Sequence, residues 1–124
     1  MGKIKKFEDL DVWQMGRKLT VNIYEITSHF PKEEVYGITS QVKRASLSVP
    51  ANIAEGFGRF HFMDKAKFYL NARGSLYELK SHLLIAKELG FMNNAAESEV
   101  FEYIEDFALK LNNLISKTRD LKTS

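Results

Sequence analysis

Apolar residues recur at alternating steps of three and four along almost the whole chain, and no segment shows the strict alternation of a half-buried strand. Val12, Gly16, Leu19, Ile23, Ile26 and Phe30 form one such series. Val35, Ile38, Val42, Ala45, Val49 and Ile53 form a second. Phe68, Ala72, Leu76, Leu79, Leu83 and Ala86 form a third, and Val100, Phe101, Ile104, Phe107, Ala108, Leu111, Leu114, Ile115 and Thr118 a fourth. That spacing places each set on one face of a helix. The segments are expected at about 9–28, 32–55, 62–89 and 95–119, within a single domain spanning 1–124. Short connections between long helices make neighbours run in opposite directions. The expected fold is therefore all-α: an antiparallel up-down-up-down four-helix bundle.

Punctuation supports these limits. Pro31 ends the first helix and opens the second. The pair Asn93 and Asn94 suits a helix start. Gly90 ends the third helix. Pro50 lies inside the second series and deletes the hydrogen bond that the Ser46 carbonyl would receive; because the apolar rhythm continues to Ile53, the expectation is one kinked helix. Gly56 is the expected stop, in the left-handed conformation. The sequence "RFHFMD" offers no Ser or Thr to cap the third helix.

The third helix carries a second apolar series opposite the first. Leu70, Tyr77 and Leu84 are seven residues apart, with Gly74 between them. One buried face is enough for a surface helix. A second face points to contact with another copy, so Trp13, Leu70, Gly74, Tyr77 and Leu84 are the expected oligomer interface. Glutamate at positions 70 and 84 is expected to break it.

Composition excludes several chemistries. The chain has no cysteine, hence no disulfide, thiolate metal site or cysteine nucleophile. His29, His61 and His82 form no pair at metal-ligand spacing, so no metal site and no cofactor are expected. "GFGRFH" follows a helix and lacks the third glycine of a dinucleotide fingerprint. Ser46, Ser48 and Ser75 have no histidine in fixed relation to them. No enzyme is expected. No apolar run is long enough to span a membrane and the N-terminus lacks a signal-peptide core, so the expected address is cytoplasmic.

Net charge is only +2, with the basic excess in the N-terminal half. Arg73, Lys80 and Lys87 stand seven apart on the third helix; Lys43, Arg44 and Arg59 lie on or after the second, and Lys3, Lys5 and Lys6 precede the first. Such a set is the expected contact for RNA or single-stranded DNA. Phe57, Phe60 and Phe62 interleave with Arg59 and His61. We read them first as a plug for the end of the bundle, with stacking on bases as the alternative.

The stretches "FEDLDVWQMGRKL", "FPKEEVYGITSQVKRASLSVPANIAEGFGR" and "NARGSLYELKSHLLIAKELG" resemble the small bacterial four-helix-bundle family called intervening-sequence proteins. Some of its members are encoded within insertions in large-subunit ribosomal RNA genes. The resemblance implies a homopentameric ring. It also implies kinship with the accessory variability protein of diversity-generating retroelements, which binds nucleic acid and associates with a reverse transcriptase. Position by position, the family signature falls on Pro50, Asn52, Glu55, Gly56 and Arg59, then on Gly74, Ser75 and Glu78. These residues read as architectural, the two carboxylates accepting hydrogen bonds from Arg44 or Arg59. A protein-binding scaffold that never touches nucleic acid is the alternative function.

Overall fold

The computed structural model describes residues 4–121. Four α-helices carry the fold: α1 Asp11–Thr27, α2 Ile38–Phe57, α3 Phe62–Glu88 and α4 Asn94–Leu121, and no strand occurs among the described residues. Their packing is that of a bundle, closest between α2 and α3 and sparest between α1 and α4. The expected stripes meet in one core. Leu19, Ile23, Val49, Ile53, Leu76, Leu83, Ile104, Phe107 and Leu111 are all buried there. Each such side chain removed from water contributes about 1.5–3 kcal/mol.

Two short 3₁₀ turns, Phe7–Asp9 and Lys32–Glu34, replace the ends expected for the first two helices. Pro31 opens the second turn, but the chain does not pass directly into α2. Gly37, at φ −110° and ψ −120°, breaks the helical path, and α2 starts only at Ile38. Val35 consequently leaves the predicted stripe and stays half exposed.

The glycines divide by job. Gly90 has φ +78° and closes α3: the Phe91 N–H donates to the Ala86 carbonyl and the Gly90 N–H to that of Lys87, both at 3.0 Å. The sequence places the helix stop there, and the left-handed cap that it assigned to Gly56 is found at Gly90 instead. Gly56 does not act that way. It lies within α2, which continues to Phe57 and ends at Gly58 in right-handed helical conformation. What requires glycine at 56 is Tyr69: a Cβ would sit 2.7 Å from the tyrosine Cε1. His61 precedes α3 without a side-chain cap, as the sequence indicates.

Tyr69 is a core residue that periodicity missed. It takes the buried place assigned to Phe68, which is only partly buried. Burial raises the Tyr69 phenol above its ordinary value of 10.0. Above about pH 10 the unfolded chain releases that proton while the folded chain keeps it. Stability therefore falls as pH rises from there through the folded pKa. Tyr69→Phe is expected to flatten this alkaline loss, read as the difference between urea midpoints at about pH 8 and about pH 11. An unchanged difference would mean that Tyr69 titrates as in water.

Candidate functional site

The cationic line on α3 faces α4. Arg73 Nη1 donates to Asn112 Oδ1 at 2.9 Å, Lys80 pairs with Glu105, and Lys87 lies 4.0 Å from the Glu97 carboxylate. Lys87 also sits 6.0 Å from the Phe101 ring centre. Seven-residue spacing correctly places these cations on one side of the helix. It carries no information about what stands opposite, which is a row of acceptors. The line closes the α3–α4 seam instead of forming a free basic surface. Exposed pairs of this kind contribute about 0–1 kcal/mol each.

Two of the other nominated cations are also engaged. Arg44 bonds Glu78 and, at 2.9 Å, Gln41 Oε1; Glu78 lies 3.3 Å from His82 as well. Arg59 reaches Glu55 at 3.1 Å and stacks 4.5 Å from the Phe68 ring centre. Lys43 is different: its ammonium rests 4.8 Å from the Tyr24 ring centre and makes no ion pair among the described residues. Lys5 and Lys6 are exposed ahead of the first 3₁₀ turn, and Lys3 lies outside the described residues.

Of the signature residues, Pro50, Asn52, Gly56, Ser75 and Glu78 lie on the seams of α2, whereas Gly74 does not. Asn52 Nδ2 donates to the Ser48 carbonyl at 2.9 Å and to Ser48 Oγ at 3.0 Å, and Ser48 shares a 2.9 Å hydrogen bond with Ser75 across to α3. Pro50 packs on α1, where a Cβ at Gly16 would lie 3.2 Å from Pro50 Cβ. Beside it, Thr20 Oγ1 lies 2.9 Å from the Ser46 carbonyl, the very group that Pro50 leaves without its helical donor. Sequence reasoning missed this hydroxyl, although a Thr one turn after Gly16 on the stripe facing α2 was the available signal. It also missed Lys65, which donates from α3 to the Phe57 carbonyl at 2.7 Å and so caps the end of α2. Burial lowers the Lys65 pKa from its ordinary 10.5.

At the α2–α3 turn the aromatic residues separate. Phe60 is 88% exposed, so it does not plug the bundle, and its ring meets that of His61 edge-on at 5.1 Å. Phe57 is partly buried beneath Lys65, and Phe62 is exposed.

The second face of α3 is open, with one exception. Tyr77 is 49% and Leu84 45% exposed, Met63 continues the series one heptad earlier, and nothing lies within 4 Å of where a Gly74 Cβ would stand. Leu70 instead packs partly against the chain's own core. Trp13 is covered by Phe7, their ring centres 5.3 Å apart, and also packs against the core.

These features of α2 and α3 lie inside the part of the chain that a family model recognises. The model, described as 23S rRNA-intervening sequence protein, matches residues 8–113. The chain belongs to that family. Comparison with individually curated proteins gives no match. Family members share the matched segment, which takes in α1, α2 and α3 whole and most of α4. Among the described residues no group of three or more His, Asp or Glu is arranged to hold a metal ion, and no helix is long and apolar enough to cross a membrane.

Proposed function

We propose that this protein is a non-enzymatic, cytoplasmic binding protein that works as a homo-oligomeric ring, a pentamer by its resemblance, and associates with RNA or single-stranded DNA. The carrying observation is the ridge of Met63, Tyr77 and Leu84 on α3, exposed in the single chain beside an open Gly74. A line of large apolar side chains at heptad spacing favours burial against a partner. Gly74 lets a second backbone come close.

The up-down-up-down arrangement is supported by how contacts run. Along α1 and α2, Gly16 meets Pro50, Thr20 meets Ser46 and Tyr24 meets Lys43, one number rising as the other falls. Arg44 with Glu78 and Ser48 with Ser75 repeat the pattern on α2 and α3. Arg73 with Asn112 and Lys80 with Glu105 do so on α3 and α4.

Nucleic-acid association is supported by the family's link to a ribosomal RNA insertion and by the basic isoelectric point near 8.8. A nucleic-acid enzyme such as a reverse transcriptase is the protein partner that the resemblance suggests. The scaffold reading has its own support: of the six cations expected on α2, α3 and the turn between them, five are already engaged within the chain.

Sedimentation tests the assembly. Wild type is expected as a multiple of 14.3 kDa at micromolar concentration, and Tyr77→Glu with Leu84→Glu as a folded monomer of native helicity. Leu70 is left intact because its substitution would also damage the core. A monomeric wild type would overturn the reading. Labelled single strands test the second part, binding being expected to weaken with salt at a slope of about −0.7 per neutralised phosphate.

A further inference from the structure

A cavity of about 310 Å³ opens where the end of α1 meets the start of α2. Phe30, Pro31 and Val35 give it an apolar wall, Lys32 and Lys43 supply two cations, and no carboxylate lines it. Neither lysine makes an ion pair among the described residues. The nearby Glu34 carboxylate turns away toward Gly37, with Oε1 2.9 Å from where a glycine Cβ would be built. Of the three hydroxyls on the lining, Thr27 donates to the Ile23 carbonyl at 2.8 Å and Ser28 to that of Glu25 at 2.5 Å.

The third hydroxyl is the anomaly. Thr39 is only 6% exposed, and its Oγ1 is buried without any hydrogen-bond partner. A buried donor left unmade is costly and is seldom retained without a reason. An orphaned hydroxyl on the lining of a cavity whose two lysines meet no acid, Lys43 resting only on the Tyr24 ring, describes a receptor for an oxyanion.

We propose that this cavity binds one phosphate group, held by the ammonium groups of Lys32 and Lys43, with Thr39, whose Oγ1 is closed off beneath the lining in the free protein, turning to donate as the phosphate enters. The proposal rests on the nucleic-acid reading above: the phosphate belongs to a single-stranded backbone, its sugar against Val35 and Pro31. Tyr36, next in the chain and almost fully exposed, offers a ring for the neighbouring base. A free phosphate or nucleotide has the same anionic chemistry. The rival account is that the two lysines merely compensate the carbonyl end of α1. That account leaves Thr39 unexplained.

The test uses the full chain, labelled single-stranded RNA and DNA of about twelve nucleotides, and inorganic phosphate and adenosine monophosphate as small anions. Lys32→Gln with Lys43→Gln is compared with Lys110→Gln with Lys117→Gln, which removes the same charge elsewhere. The first pair is expected to weaken strand binding about tenfold more than the second. Thr39→Val is expected to weaken it severalfold while raising the melting temperature of the free protein, because an unmade hydrogen bond is removed. Equal losses from the two lysine pairs would overturn the site and leave the nucleic-acid reading standing. A lowered melting temperature in Thr39→Val would also overturn it, by showing the hydroxyl to be satisfied. Should phosphate and the nucleotide shift the amide resonances of Thr39 and Lys43 while no strand binds, the site stands and the nucleic-acid reading falls. If nothing binds wild type at low salt, both fall.

Discussion

Gly56→Val is expected to destabilise the bundle by about 3 kcal/mol, from overpacking in a close-packed core and the stiffness of a β-branched side chain. A Cβ alone would approach Tyr69 Cε1 to 2.7 Å, Tyr69 Cδ1 to 2.9 Å and Phe68 Cβ to 3.1 Å. The Tyr69 ring has no solvent side to retreat to, being 3% exposed. Replacing a helical glycine recovers about 0.5–1 kcal/mol of backbone entropy, too little to offset the clash. Gly74→Ala is the control. It gains the same entropy and meets nothing within 4 Å in its own chain, so the isolated bundle should be slightly stabilised while self-association weakens. Urea unfolding followed by circular dichroism reads both. Wild-type stability in Gly56→Val would mean that α2 and α3 separate at little cost.

Thr20→Val is expected to destabilise by about 1–3 kcal/mol, although the replacement has nearly the same shape. The hydroxyl has one hydrogen and two carbonyls in reach, Gly16 at 3.0 Å and Ser46 at 2.9 Å. The Gly16 carbonyl already has a helical donor, the Thr20 N–H four residues on, whereas Pro50 has no N–H to give Ser46. The proton is therefore worth most on Ser46. Removing it leaves a buried acceptor with neither donor nor water. In a Pro50→Ala background the alanine N–H can supply the helical bond, and the cost of Thr20→Val should largely vanish. The double-mutant cycle then gives a coupling of about 1 kcal/mol or more. An identical cost in both backgrounds would detach Thr20 from the proline.

Much of the candidate site was legible one residue at a time. Pro50 announced an orphaned carbonyl, and Glu55 and Glu78 announced a need for cationic partners. The partners themselves were less accessible. Arg73, Lys80 and Lys87 look like a basic surface as long as Asn112, Glu105 and Glu97 are only numbers far along the chain. Lys43 looked like one cation among nine. Its distinction, that no carboxylate meets it, is a property of the α1–α2 corner and not of any local pattern.

Periodicity alone determined the number of helices, their approximate limits and their buried stripes, because the apolar phase of a helix is written in residues three and four apart. The stop at Gly90 was equally local, a chain reversal that favours an achiral residue. Only the tertiary structure decided why Gly56 is glycine, which hydroxyl completes the proline turn, and that the α3 cations face α4 while Tyr77 and Leu84 face outward. The physical reason is the same in each case. A helix fixes the direction of its own side chains, but hydrogen bonds, ion pairs and steric contacts between helices depend on the distance and rotation at which two of them meet, and that is settled by the packing of all four around one core.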